Sequence, residues 1–150
     1  MNEKKKFENL FLKLINNKKN KYHPLVWING NPIIGKNTYI GGFSEINAKG
    51  SRVKIGANCD IASFVSINVA DSHKKTIKKS NKISLNEIKI GKNVFIGSHC
   101  VILGGSEIGD FSVIAAGSVV RGEKIPKNSL VIGNPIKIKK SYYKKNDSSQ

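Results

Sequence analysis

The segment Ile90-Gly91-Lys92-Asn93-Val94-Phe95-Ile96-Gly97-Ser98-His99-Cys100-Val101-Ile102-Leu103-Gly104-Gly105-Ser106-Glu107-Ile108-Gly109-Asp110-Phe111-Ser112-Val113-Ile114 places an isoleucine at every sixth residue. The same period runs through Ile34, Ile40 and Ile46, then Ile55, Ile61 and Ile67, and closes on Val120, with only two slips of register. An amphipathic helix repeats its apolar residues at about 3.6 and a half-buried strand at about 2, so a sustained period of six fits neither. Glycine commonly follows the aliphatic, as in Ile34-Gly35, Ile40-Gly41, Ile55-Gly56, Ile90-Gly91, Ile96-Gly97 and Ile108-Gly109. Four residues after most of the aliphatics stands a small or β-branched residue: Thr38, Ser44, Cys59, Val65, Val94, Cys100, Ser106, Ser112 and Ser118. The pattern reads as short extended runs joined by tight bends, where glycine reaches backbone angles that other residues adopt only at a cost. Three runs make a triangular coil, and coils stacked in series bury their aliphatics against one another and need caps at the ends.

At 150 residues the chain has room for one domain. Residues 1–24 are expected to form an N-terminal helical cap and residues 25–140 the solenoid, interrupted by a loop at about 70–87; the polar tail 141–150 is expected to be disordered. The opening MNEKKKFENLFLKLINN is charged and amphipathic, with neither an apolar run of signal-peptide length nor one of membrane-spanning length. A cytoplasmic location is the expectation. Residues 4–19 also have the character of a helix that lies on a membrane surface, although a packing cap fits them better. Cys59 and Cys100 fall on inward positions and read as reduced core residues.

The formal charge of +16 raises the question of nucleic acid. Of 26 basic residues, only Arg52 and Arg121 are arginine, and the few aromatics are not interleaved with the lysines. Base readout favours the guanidinium fork and single strands favour stacking platforms, so the residue types argue against a nucleic-acid partner. A lysine-rich surface suits phosphorylated or polyanionic small molecules instead.

The repeat, the segment Ile114-Ala115-Ala116-Gly117-Ser118-Val119-Val120 and the closing Gly133-Asn134-Pro135-Ile136-Lys137 together resemble the hexapeptide-repeat acyltransferases over roughly residues 25 to 140. The likeness is strongest to the galactoside, maltose, xenobiotic and capsular or O-antigen sugar acetyltransferases. It implies an all-β fold, a single left-handed parallel β-helix with an extruded loop, although crossovers between parallel strands are otherwise right-handed. It further implies a homotrimer with active sites between subunits, and acetyl-CoA as co-substrate, without a metal, in O- or N-acetylation of a sugar or nucleotide-linked amino sugar.

The six-residue register lapses between Ile67 and Ile90, in a segment holding Asp71, Ser72, His73 and six lysines. Loops on a rigid scaffold concentrate functional residues, and the family carries its catalytic histidine in a loop at this place. His73 is therefore the candidate general base, able to take a proton from an attacking hydroxyl or amine. Counted from the preceding coil, the histidine of the galactoside-type enzymes falls on Ser72, so His73 requires an offset of one residue. Asp71 is a candidate to orient His73 or an acceptor hydroxyl, and Asn47 matches an acceptor-binding asparagine of the family; each is also a common turn residue. On the cofactor side the resemblance marks Ser98 near the thioester, the backbone at Ala116 and Gly117 for pantetheine, and Arg121, Lys124 and Lys137 for the CoA phosphates. Phe95 stands where many relatives have tryptophan, and His99 falls on an outward position, facing a subunit interface. Lys74, Lys75, Lys78 and Lys79 beside the base would attract an acceptor bearing phosphate or carboxylate.

Two other readings use the same solenoid. A metal-dependent lyase like the γ-class carbonic anhydrases needs histidine ligands, and His23, His73 and His99 are scattered along the chain. A non-catalytic scaffold remains open because fold alone does not set chemistry.

Overall fold

The computed structural model describes residues 1–17 and 19–143, and shows a left-handed β-solenoid of about five coils. Each coil contributes one short strand to each of three parallel sheets. The first face stacks Trp27–Asn29, Glu45–Asn47, Ser66–Asn68, Val101–Leu103 and Val119–Val120; the second stacks Ile33–Ile34, Val53–Ile55, Ile88–Ile90, Glu107–Ile108 and Lys124–Ile125. The third face stacks Tyr39–Ile40, Asp60–Ile61, Phe95–Ile96, Val113–Ile114 and Leu130–Gly133. Ile136–Lys139 then turns back antiparallel on Leu130–Gly133 and closes that end. Of the expected disordered tail, residues 144–150 lie outside the described residues, while the Tyr143 N–H donates to the Asn128 carbonyl at 3.1 Å.

Register carries the sequence period into three dimensions. Ile46 pairs with Ile67, Ile67 with Ile102 and Ile102 with Val120, while Ile40, Ile61, Ile96, Ile114 and Val131 form a second column. These side chains are fully buried. Burying an isoleucine is worth about 1.5–3 kcal/mol, so the columns are the main source of cohesion between coils.

The glycines after the aliphatics turn out to serve a different need from the one their sequence suggests. The left-handed residues at these corners are chiefly Asn37, Phe43, Asn58, Phe64, Asn93, His99, Phe111 and Asn128, whereas Gly35, Gly56, Gly91, Gly97 and Gly109 keep ordinary angles. What excludes a side chain is the neighbouring coil: a Cβ on Gly35 would lie 2.4 Å from the Ala57 nitrogen, and one on Gly97 would lie 2.5 Å from the Ala116 nitrogen. Backbone passes directly over backbone at this position.

The small inward residues likewise do more than fit. The Ser44 hydroxyl donates to the Ala62 carbonyl at 3.0 Å and accepts from the Val65 N–H at 3.1 Å; Thr38 does the same between the Gly56 carbonyl and the Cys59 N–H. Ser112 bridges the Pro126 carbonyl and the Ser129 N–H. Hydroxyls therefore pair corner amides that the tight bends leave without partners in the ladders. Cys59 and Cys100 occupy equivalent positions as free, buried thiols that donate to the Gly91 and Ala115 carbonyls, each at 3.1 Å. Burial pushes both thiols above their ordinary pKa.

At the other end, the helix Glu3–Leu14 starts with the Asn2 side chain accepting from the Lys4 N–H at 2.9 Å. Leu12 is its buried residue, whereas Phe7, Leu10 and Leu14 are exposed. Asn17 and Asn20 donate to the Val26 carbonyl and tie the chain leaving the helix to the first coil. No described helix is long and apolar enough to cross a membrane.

Candidate active site

The chain leaves the first face after Asn68 and rejoins the second at Ile88. The root of the extruded loop is ordered by backbone pairing: Ala70–Asp71 runs antiparallel to Ser84–Leu85, and the Asn86 N–H donates to the Val69 carbonyl at 3.0 Å. Asn68 adds a side-chain brace, its Oδ1 accepting from the Ala70 N–H at 2.9 Å. Beyond Ser72 the chain makes a single helical turn, His73–Thr76, which Thr76 secures through its N–H and hydroxyl to the Ser72 carbonyl at 2.9 and 3.1 Å.

This turn brings His73 back onto Asp71. The His73 N–H donates to Asp71 Oδ1 at 2.9 Å, and Nδ1 lies 2.6 Å from the same oxygen. Those two donors, the backbone N–H first, hold the Asp71 carboxyl below the usual carboxylate range. An ionised carboxylate can only accept, so Nδ1 is the donor to it, and in the neutral form of the ring the lone pair is on Nε2. The pair opens on a cavity of about 800 Å³, lined from the loop by Asp71, Ser72, His73 and Lys74, from its return by Ser84 and Asn86, and from later coils by Leu103, Gly104 and Arg121. Arg121 is aimed by Asn134, whose Oδ1 accepts from Nη1 at 2.7 Å.

The other candidates stand elsewhere. Ser98, Ala116 and Gly117 gather at the corner between the third and first faces, where the Gly117 N–H donates to the Ser98 carbonyl at 2.9 Å. A Cβ on Gly117 would meet nothing within 4 Å, so this strip of backbone is open to a ligand. The three-residue width of the first face, about 10 Å at ~3.3 Å per residue, separates that corner from the His73 cavity. Asn47 lies on the first face, outside the cavity wall, with its amide donating to Asn68 Oδ1 at 3.1 Å and accepting from the Lys49 N–H at 3.1 Å. Lys124 is on the second face, 3.8 Å from Glu107, and Lys137 is exposed on the closing hairpin. His99 is exposed and left-handed, its ring stacked on Phe64 at 4.9 Å, and Phe64 in turn stacks on Phe43 at 5.0 Å. Among the described residues no group of three or more His, Cys, Asp or Glu could hold a metal ion.

Sequence reasoning missed Asn68, Asn86 and Asn134 as supports of the site. Asn68 had a visible signal, the recurring pairs Ile28-Asn29, Ile46-Asn47 and Ile67-Asn68, which the structure stacks in register. Asn134 lay within the closing motif, but its contact with Arg121 is made across 13 residues and has no local signature.

The bacterial transferase hexapeptide family matches residues 87–122, and the hexapeptide repeat of succinyl-transferase matches residues 33–68. Galactoside O-acetyltransferase of Escherichia coli (strain K12) is 39% identical over 107 residues, covering 70% of this chain and 51% of that protein. The chain thus spans about half the length of that curated relative. Among solved structures, galactoside acetyltransferase in complex with coenzyme A is 34% identical, covers 88% of this chain and 68% of its own, and has a TM-score of 0.69. The polySia specific acetyltransferase NeuO is 29% identical, with a TM-score of 0.65 over 83% of this chain and 61% of its own. Five stacked coils, an extruded histidine loop and this degree of identity to the galactoside enzyme together establish that the chain belongs to the hexapeptide-repeat acetyltransferase family.

Proposed function

We propose that this protein transfers an acetyl group from acetyl-CoA to a hydroxyl or amine of a sugar, with His73 as general base. The observation that carries this reading is the Asp71–His73 pair at the wall of the 800 Å³ cavity. Nε2, left with its lone pair, removes the proton from the acceptor as its oxygen or nitrogen attacks the thioester carbonyl. The new C–O or C–N bond forms, the C–S bond breaks, and the imidazolium returns its proton to the departing thiolate. Asp71 holds the ring and stabilises the charge that His73 acquires.

Acetyl-CoA fits the open corner at Ser98, Ala116 and Gly117, where small residues and exposed backbone suit the pantetheine amides. Lys124 and Lys137 supply charge for the phosphates. The base and this corner are on opposite sides of the first face of one chain, which supports a homotrimer whose sites are completed by a neighbouring copy. The coenzyme A complex of the galactoside relative and the sugar acceptors that relatives are named for support the same reading. Asn47 stays an acceptor-binding proposal, reached through Asn68.

The test is thiol release from acetyl-CoA over a panel of glycosides, amino sugars and nucleotide-linked sugars. Acceptor-dependent release should fall by about 10²–10⁴ in His73→Ala. Release that survives the substitution would remove His73 as base, and no release with any acceptor would favour a binding scaffold.

A further inference from the structure

We propose that the His73 cavity selects an acceptor carrying a carboxylate or phosphate, and that Arg121 with Lys74 receives that anion. The proposal rests on the acetyl-transfer reading above and adds to it the chemical class of the acceptor.

Among the described residues, four basic side chains have carboxylates within 4.0 Å and most of the others have none. On and beside the second face, two carboxylates serve these four cations: Glu87 lies 3.3, 3.7 and 3.8 Å from Arg52, Lys54 and Lys89, and Glu107 lies 3.7 and 3.8 Å from Lys89 and Lys124. The loop lysines belong to the second group. Lys74, Lys75, Lys78, Lys79 and Lys82 have no carboxylate within 4.0 Å among the described residues, and Asp71, the one acid between positions 70 and 86, is taken up by His73. Arg121 completes the contrast with Arg52: its side-chain partner is the neutral amide of Asn134, which orients the guanidinium without cancelling its charge. Two cations, Arg121 and Lys74, thus wall the cavity of the base; its one carboxylate, Asp71, is engaged by His73, and Glu123 accepts from the Arg121 backbone N–H, so neither forms an ion pair within 4.0 Å of the two cationic groups. A positive cleft with protein walls concentrates anions, and the planar fork of arginine is suited to a carboxylate or phosphate.

The phosphates of acetyl-CoA could supply the same chemistry, but the whole pantetheine arm separates them from the reacting thioester. A cation in the cavity of the base is near the group that loses its proton, which belongs to the acceptor. Resemblance alone associates Arg121 with the CoA phosphates, whereas its place in the wall of the cavity that His73 and Asp71 also line points to the acceptor.

The experiment titrates the full-length protein, at low ionic strength, with matched sugar pairs that differ only in charge: methyl glucuronide against methyl glucoside, and a sialic acid oligomer against its carboxyl-reduced form. The carboxylated member of at least one pair should bind roughly tenfold tighter or more. Arg121→Gln should bring that ratio close to one with an unchanged melting temperature, and Arg121→Lys should restore part of it. In turnover with the preferred acceptor, Arg121→Gln should raise the acceptor KM equally with acetyl-CoA and with acetyl-pantetheine, which lacks the nucleotide phosphates. A wild-type ratio near one in every pair, or no binding of any member, overturns the proposal. So does an Arg121→Gln variant that keeps the ratio and is impaired with acetyl-CoA alone. His73→Asn separates this from the catalytic reading: it should lose turnover and keep the charge preference, whereas retained turnover would sink the base and leave the anion site standing.

Discussion

Asp71 Oδ1 receives two hydrogen bonds from His73, one from its backbone N–H at 2.9 Å and one from Nδ1 at 2.6 Å. The first fixes where the loop turns and the second fixes which ring nitrogen carries the proton. Asp71→Asn keeps an acceptor oxygen in the same place but removes its charge, so kcat should fall by about 10- to 100-fold while the acceptor KM changes little. Asp71→Ala removes the turn contact as well and should be the worse of the two. A variant of either kind with wild-type kcat would show that His73 needs no partner.

The same contact sets a pH expectation. Asp71 titrates below the ordinary carboxylate range because two donors hold its charged form. A lowered pKa means that the interaction is fully present above the unfolded carboxyl value and is lost only as pH falls through the lower, folded value. Between about pH 5 and 9 the carboxylate therefore stays ionised, and the carbon-13 chemical shift of the Asp71 carboxyl should show no protonation step across that range. A shift that moves toward the protonated carboxyl value on approaching pH 5 would mean that Asp71 is protonated there.

Gly97 and Gly117 should respond to alanine for different physical reasons. At Gly97 a Cβ would lie 2.5 Å from the Ala116 nitrogen and 2.8 Å from its Cα, so Gly97→Ala must push two coils apart and should cost about 1–3 kcal/mol or more in denaturant unfolding. At Gly117, φ +73°, the space is free and only the backbone angle resists, at a cost of about 1–2 kcal/mol. If the open corner holds pantetheine, Gly117→Ala should also raise the KM for acetyl-CoA, which a purely conformational effect would leave unchanged.

Ser44→Ala removes a hydroxyl that pairs both the Ala62 carbonyl and the Val65 N–H in a fully buried setting. Leaving those groups without their partner should destabilise the fold by about 1–3 kcal/mol, measured by urea unfolding. Stability within a few tenths of wild type would show that the corner amides find other partners.

Cys59 and Cys100 should not react with a thiol reagent in the native protein, since both are buried and both thiols are pushed above their ordinary pKa. Two thiols should appear on unfolding. Fast native labelling would show that the corners open, and would have to be subtracted from any assay of CoA release.

The repeat was legible because a solenoid uses local rules: each of the three faces takes one inward aliphatic from a run of about six residues, so the inward residues recur at that spacing within every uninterrupted stretch. The loop was legible as the place where that period stops. The reason for glycine was not, since Gly35 and Gly97 are excluded from bearing side chains by backbone one coil away, while asparagine, phenylalanine and histidine take the left-handed corners. Asn37, Asn58, Asn93 and Asn128 carried a hint of this, because asparagine is one of the few residues that visits that region readily.

The sequence by itself determined the period, the inward columns of Ile40, Ile61, Ile96 and Ile114, the interruption after Ile67 and the presence within it of one histidine beside one aspartate. These depend on residue type and spacing alone, which burial reads directly. Only the tertiary structure decided that Arg121 shares a cavity with His73 while Ser98, Ala116 and Gly117 stand across the first face from it. Neighbourhood in a solenoid is set by which corner a residue occupies and how many coils it has climbed, and the long insertion between Ile67 and Ile90 shifts that count. Residues 48 positions apart, His73 and Arg121, then line one cavity, and residues close in sequence to Arg121 face another corner.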